Sequence, residues 1–359
     1  MALSTTTNQP FVPSLDVFSL LKSYRSAITA HMHPYISPQS LGSVSPLTHP
    51  ASEELFWELL RDYPDRPGKC IRGGLVCLVA EAMGATLEQA LPTATAMELS
   101  QNWILIHDDF EDGSAMRRGK PCLHQLAGAE QAINAGDALH LVQWGVLFDN
   151  YYILKPKQTI QIGQAFRVML LRTAQGQTAE LAVRDRYDLT EEEVLYIMDG
   201  KTGYYTFAGP MRLGALVAGK LTPRRTQLFN DFGMALGRAF QLMDDMLDVT
   251  TDFDGLKVKG GDIQESKRSL LFVKLFRRLK GADREEFRRI MDQPVGAKTD
   301  QEVEWVIKLM IRQGIVEECW VEALNYAESA MMLVEQMPFE KSYKTMLRQF
   351  TAYMVDRKK

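Results

Sequence analysis

The feature that most limits how this chain can fold is a pair of aspartate clusters, each closing an apolar run. The first is Trp103-Ile104-Leu105-Ile106-His107-Asp108-Asp109-Phe110-Glu111-Asp112, and the second is Phe240-Gln241-Leu242-Met243-Asp244-Asp245-Met246-Leu247-Asp248. On a helix, residues four apart share a face, so Asp108 stands over Asp112 and Asp244 over Asp248. Like charges at that spacing cost only tenths of a kcal/mol on an exposed helix. Runs this apolar should enter a core, however, where an uncompensated carboxylate costs several kcal/mol. A stable fold must therefore place something cationic between these carboxylates. Mg2+ suits them, because it takes oxygen ligands, keeps several waters and is commonly shared with substrate phosphates.

A single acidic cluster reads equally well as a solvated helix end; two in the same context do not. Basic segments elsewhere supply the matching charge. Arg117-Arg118-Gly119-Lys120-Pro121 begins five residues after Asp112, a reach that suits a short loop folding back over the site. Arginine offers planar bidentate donors to phosphate oxygens. Gly68-Lys69-Cys70-Ile71-Arg72-Gly73-Gly74 sets Lys69 and Arg72 three apart beside an expected flexible turn. Lys257, Lys259 and Lys267 flank Gly260-Gly261-Asp262, and Lys201-Thr202-Gly203 is expected to end a helix opened at Thr190. Each segment alone is an ordinary loop. Together with two acidic clusters they describe a site for two phosphorylated groups, one held through metal and one by Lys and Arg.

From about residue 51 the hydrophobic pattern is helical throughout. Thr190 with Glu193 and Thr299 with Glu302 are capping boxes, Gly314 sits at a C-terminal cap, and Thr222-Pro223 opens a long helix through Asp248. Period-two alternation is too scarce for a sheet-based fold. Residues 51–359 therefore read as one all-α domain, and residues 1–50, rich in Pro, Ser and Thr, as an extension with one short helix around Val17–Ile28.

The formal net charge of −4 carries no general pull toward nucleic acid. Apolar runs such as Leu75–Ala80 fall far short of the roughly 20 residues a membrane span needs. The opening Met1–Pro13 has neither the basic start nor the apolar stretch of a secretory signal, and Cys70, Cys77, Cys122 and Cys319 contain no CxxC pair. A cytoplasmic protein with reduced cysteines is the expectation.

The order GKxxRG, DDxxD, RRGxP, KTG, FQxxDD and GGDIxxxK, running from Gly68 to Lys267, resembles the trans-isoprenyl diphosphate synthases, the farnesyl and geranylgeranyl diphosphate synthase family. The resemblance implies an all-α isoprenoid-synthase helical bundle around a central cavity, usually a homodimer. It implies about three Mg2+ ions, with Asp108, Asp112 and Asp244 as ligands and Asp109, Asp245 and Asp248 close behind them. Arg117, Lys201, Lys257 and Lys267 match positions that grip an allylic diphosphate; Lys259 competes with Lys257. Lys69, Arg72, Gln101 and Arg118 match the pocket for isopentenyl diphosphate, with Gln101 where many members carry His. Thr202 and Gln241 match positions facing the developing carbocation, and Arg357-Lys358-Lys359 resembles a basic tail that closes over the site.

The implied chemistry needs no conventional base. Ionising the allylic C–O bond leaves charge on diphosphate, which Mg2+, Lys and Arg stabilise selectively. The cation left behind needs a dry, mostly apolar cavity. The released diphosphate can take the proton, so His107 is read as a hydrogen-bonding residue. In such enzymes the helix of the first cluster also forms the floor that limits product length. Trp103 and Ile104 are the fifth and fourth residues before Asp108, and one aromatic there resembles the geranylgeranyl (C20) type, although an indole is large enough to stop growth at C15. Two alternatives remain: a class I terpene cyclase, and a non-catalytic regulatory subunit. Cyclases carry an Asn/Ser/Glu triad in place of the second cluster, and a regulatory chain should have lost a carboxylate or the RRG arginines.

Overall fold

The structure, a computed structural model, describes residues 16–41, 50–250 and 260–355. Lys257, Lys259 and Arg357-Lys358-Lys359 lie outside the described residues. The chain begins with helices α1 (Val17–Met32), α2 (Pro50–Asp65), α3 (Ile71–Ala82) and α4 (Leu87–Glu111). A hairpin of β1 (Met116–Arg117) and β2 (Lys120–Pro121) leads to α5 (Leu123–Ala127), α6 (Ala129–Phe148), α7 (Asn150–Ile153) and α8 (Pro156–Ala182). Helix α9 (Glu191–Met198) runs into a π-helical segment (Asp199–Ala208) and then α10 (Gly209–Val217) and α11 (Pro223–Thr250). The remainder is α12 (Gly261–Gln264), α13 (Leu270–Arg278), α14 (Gly281–Met291), α15 (Asp300–Arg312), α16 (Ile315–Glu335) and α17 (Lys341–Val355).

The expected helix ends form. The side-chain oxygens of Thr190 and Thr299 accept from the backbone N–H of Glu193 and Glu302, which bond back to the cap N–H groups. Gly314 takes φ +68° at the stop between α15 and α16, where a side chain would be strained. Helix α1 is longer than expected and is packed into the core: Val17, Leu21, Tyr24, Ile28 and Met32 are buried on one face, against α3 and α4. None of the described helices is long and apolar enough to cross a membrane.

Two local expectations are corrected, and the short RRG loop takes a definite form. The KTG segment does not end its helix; the chain continues through the π segment into α10. Gly73 and Gly74 are not a turn but lie buried inside α3, where the Gly73 N–H donates to Glu98 on α4 at 2.7 Å. The RRG loop is a two-residue hairpin in which Arg118 (φ +53°) and Gly119 (φ +76°) both adopt the left-handed region, as a type I′ turn requires. That turn is too local to alter an all-α fold.

The two aspartate helices are brought together by what lies between them. Helix α10 packs against both α4 and α11, while the π segment packs against α8 on one side and α11 on the other. A Cβ placed on Gly237 would lie 2.3 Å from the Gly203 Cα, so α11 and the π segment cross at a distance only glycine allows. The π segment widens the helix where Lys201 and Thr202 face its neighbours, a distortion that recurs at functional sites.

Candidate active site

The last turn of α4 supplies Asp108, Asp109 and Asp112. Asp108 is partly open, with Lys201 Nζ 3.5 Å from its Oδ1. Lys201 also pairs with Glu180 of α8. Burial works against the Lys201 charge, but Asp108 and Glu180 outweigh it and hold its pKa above the ordinary lysine value.

The next residue, Thr202, donates its hydroxyl to Gln241 Oε1 at 2.8 Å, and Gln241 Nε2 donates to Asp245 Oδ1 at 2.8 Å. Asp245 is buried, and burial reinforced by Asp262 and Asp244 pushes its carboxyl well up, against the pull of Gln241 and Lys267. Lys267 then closes the circuit: its Nζ lies 3.4 Å from Asp262, 2.6 Å from Glu265 and 3.7 Å from Asp112. Asp112 is one helical turn from Asp108, where the path began. The two acidic walls, far apart in sequence, thus belong to one polar ring: Lys201 and Lys267 each touch the first wall, and the second is reached through Thr202–Gln241–Asp245 on one side and, on the other, through Asp262, whose N–H Asp248 accepts.

The ring does not balance its own charge. Asp112 is 6 % exposed and pairs with Arg184 and Lys267. Even so, burial pushes its carboxyl up to about 6, with Asp108 and Glu265 adding to the rise. The ion pairs show the imbalance directly: the carboxylates of Asp108, Asp112, Glu180, Asp262 and Glu265 surround only Lys201, Lys267 and Arg184. Among the described residues no group of three Asp, Glu, His or Cys side chains stands ready to hold a metal ion unaided. The donors present are carboxylate oxygens, the type a hard divalent ion takes while drawing its remaining ligands from water and phosphate.

Asp109 and Asp248 support the ring from behind. Asp109 is fully buried, accepts from Tyr63 Oη at 2.5 Å and holds Arg117 Nε at 2.9 Å. Asp248, also fully buried, accepts the backbone N–H groups of Gly261 (3.2 Å) and Asp262 (3.0 Å), so it sets the segment that carries Asp262 and Lys267. Neither oxygen set is open to a ligand. Asp244 stays partly exposed on the same turn as Asp245 and Asp248.

The second basic group gathers where the hairpin meets α3. Arg72 donates to Thr206 at 2.8 Å and lies over the Tyr205 ring at 4.9 Å. Lys69 is exposed, 5.0 Å from the Tyr353 ring of α17. The Arg118 guanidinium borders Gly68, and Gln101 is buried on α4 with its Oε1 unpartnered among the described residues. His107 turns away from the ring toward α6, its Nε2 3.3 Å from the Ile133 carbonyl and 3.7 Å from Asp137. That is a hydrogen-bonding position. Trp103 is part-buried one turn earlier and donates its indole N–H to Gln143 of α6 at 2.6 Å, while Ile104 packs on the core edge.

Several residues that sequence reasoning missed complete the site. Arg66, 2 % exposed, pins the hairpin by donating to the Arg117 and Pro121 carbonyls at 2.9 and 2.8 Å. Glu98 is buried near Arg72 and Arg118; burial pushes its carboxyl up and those cations pull it back. Glu180 pairs with Lys201, and Gln177, one turn earlier on α8, donates to Glu111 at 2.5 Å. Glu98 carried a usable signal, a lone carboxylate in the run Ala94–Leu99, which is the same signal that singled out the aspartate clusters. Arg66 and Arg184 carried none, since each sits at the end of a helix where nothing local distinguishes it from a solvated arginine.

A family model described as polyprenyl synthetase matches residues 53–310. The chain is 30% identical over 321 residues to the geranylgeranyl diphosphate synthase of Methanosarcina mazei, covering 89% of this chain and 94% of that one. It is also 30% identical over 338 residues to the (2E,6E)-farnesyl diphosphate synthase of Mycobacterium bovis, with 90% and 91% covered. Among solved structures, the geranylgeranyl pyrophosphate synthase of Corynebacterium glutamicum, complexed with isoprenyl diphosphate and magnesium, shares the fold with a TM-score of 0.85. That match covers 96% of this chain and 100% of that one at 24% identity.

Proposed function

The chain belongs to the polyprenyl synthetase family, and from that premise we propose that it is a Mg2+-dependent short-chain trans-prenyltransferase. It condenses isopentenyl diphosphate with an allylic diphosphate to give geranylgeranyl (C20) or farnesyl (C15) diphosphate. The observation that carries this reading is the ring: Asp108, Asp112, Glu180, Asp262 and Glu265 gather around Lys201, Lys267 and Arg184, which they outnumber, and the second wall is linked to them through Thr202, Gln241 and Asp245.

Asp108, Asp112 and Asp244 would hold the ions, which when bound draw charge off the departing diphosphate. Lys201, Lys267 and Arg117 face the same diphosphate, and Lys257, outside the described residues, is assigned with them on its sequence position. Asp109 and Tyr63 keep Arg117 aimed, so that its charge is in place before the bond breaks. Thr202 and Gln241 hold a fixed dipole chain beside the forming cation. Lys69, Arg72, Gln101 and Arg118 take the second diphosphate, which presents the double bond to that cation.

The decisive assay supplies purified protein with Mg2+, isopentenyl diphosphate and each of the C5, C10 and C15 allylic diphosphates, then sizes the dephosphorylated products. Chain elongation dependent on both substrates is expected. Hydrocarbon formed without isopentenyl diphosphate, or activity appearing only after a second protein is added, would overturn the reading.

A pH dependence follows from Asp112. Its carboxyl, near 6, is ionised at neutral pH and takes up a proton as pH falls through that value. Only the ionised form can ligate a metal, so the half-saturating Mg2+ concentration should rise about tenfold per pH unit below that point. Metal titrations at fixed substrate between pH 5 and 8, roughly the range these values bracket, check this. A flat dependence would remove Asp112 from the ligand set.

The reading extends to a cytoplasmic homodimer. Leu141, Phe148, Tyr152, Ile160 and Leu171 are all more than half exposed along α6, α7 and α8. An apolar stripe of that length is the kind of surface a second copy covers.

A further inference from the structure

Gln143 on α6 is 0 % exposed, yet only half of its amide is satisfied. Its Oε1 accepts the Trp103 indole N–H at 2.6 Å, while its Nε2 is buried with no partner among the described residues. An unmet buried donor is costly, and an apolar side chain of the same size would avoid the cost. What the amide does achieve is to orient one indole.

The rest of the surroundings serve the same end. The His140 ring packs against the indole with centroids 4.8 Å apart. His140 is held in turn, because Trp144 donates its N–H to His140 Nε2 at 3.0 Å. That bond requires the ring nitrogen to be unprotonated, and burial lowers the His140 pKa accordingly. Trp144 contacts Phe166 of α8, with centroids 5.9 Å apart. Trp103 of α4 is therefore held at its N–H by Gln143 and packed against the tilted His140 ring, and this clamp is anchored on a third helix.

We infer that Gln143 is the positioning residue that sets product length, by locking the Trp103 indole in the orientation that closes the end of the prenyl channel. This rests on the proposed prenyltransferase function and on Trp103 forming the floor, as the resemblance to prenyl synthases implies. A part-buried indole without that hydrogen bond could swing aside under a growing chain; with the bond, growth stops at one length. Gln143 lies on the side of α4 turned from the carboxylate ring, so it should leave the chemical step alone.

The test compares Gln143→Leu, Trp103→Phe, Trp103→Ala and the Gln143→Leu/Trp103→Phe double variant. Product-length distributions are measured beside kcat for the first condensation with the C5 starter. Gln143→Leu is expected to raise the ratio of longer to main product about tenfold, the usual weight of one buried hydrogen bond, with that kcat within twofold. Trp103→Phe, which keeps the ring but loses the N–H, should show a similar change, and the double variant should add nothing further.

If Trp103→Ala lengthens products while Gln143→Leu and Trp103→Phe do not, the inference about Gln143 fails and the floor stands. If Trp103→Ala changes nothing, the floor reading fails and takes the inference with it, even if Gln143→Leu alters the products by another route. A lengthening by Gln143→Leu that simply adds to that of Trp103→Phe would also overturn it. Should Gln143→Leu not fold, Trp103→Phe, a milder change, decides between these outcomes.

Discussion

Asp108→Asn and Asp244→Asn should each lower kcat for condensation by about a hundred- to a thousandfold, the range seen when one preorganised charge-stabilising group is removed from an active site. These two carboxylates are singled out by exposure: both are partly open, whereas Asp109, Asp112, Asp245 and Asp248 are buried. Asp109 is taken by Tyr63 and Arg117, and Asp248 by two backbone N–H groups. Asp245 accepts from Gln241, and Asp112 is held by Arg184 and Lys267. Asp108 lies 3.5 Å from Lys201, and the partly exposed Asp244 sits on α11. The loss should fall on kcat more than on the isopentenyl diphosphate KM, because Lys69, Arg72 and Arg118 are untouched. Steady-state kinetics, with direct titration of Mg2+ or Mn2+ in the presence of a diphosphate analogue, measure both consequences. An exposed aspartate on the same helix, Asp231, provides the control, and Asp231→Asn should stay within twofold. Either active-site variant remaining within tenfold of the parent would remove that carboxylate from the ligand set.

Trp103→Ala should lengthen the products by one or more C5 units, with the parent product reduced to a minor component. The indole stands one turn before Asp108, and no larger side chain exists to close a channel at that level. Truncation to Ala opens space that the surrounding helices cannot refill, because α6 is held at its own register by Trp144 and Phe166. A further isoprene unit entering that space gains burial of its apolar surface. The stability cost should stay below the 3–5 kcal/mol or so typical of burying and then truncating a full tryptophan, since Trp103 is only part-buried. Chromatographic sizing of dephosphorylated products from the C15 starter checks it. An unchanged distribution would mean that the indole is plain core packing.

The two predictions differ in how far they could be read before any fold was known. The two aspartate clusters could be picked out because their oddity is local: a carboxylate repeated four residues on, as in Asp108 with Asp112 and Asp244 with Asp248, at the end of an apolar run is unstable unless something cationic meets it; the choice of Asp108, Asp112 and Asp244 as ligands came from the family resemblance. The capping boxes at Thr190 and Thr299 were legible for the same reason, each being complete within four residues. The errors were also local. Gly73-Gly74 has the composition of a turn and the position of a helix crossing, and only the approach of Glu98 on α4 decides between them. The KTG segment looked like a helix end because Gly203 breaks the propensity of its neighbours. The π-helical widening that carries the chain past it depends on the crossing with Gly237.

The amino-acid order by itself determined that the chain is helical, that it carries two acidic walls and two basic groups, and that a divalent cation and two diphosphates suit them. Only the tertiary structure decided which carboxylates face the site and which stand behind it, that Lys201 and Lys267 join the walls into a ring, and that Glu98, Glu180, Arg66 and Arg184 belong to the surroundings of that ring. The physical reason is one of range. Helix periodicity and capping act over three or four residues, whereas the partner a buried charge finds is set by the crossing of helices from distant parts of the chain, and those crossings are decided by the packing of the whole core.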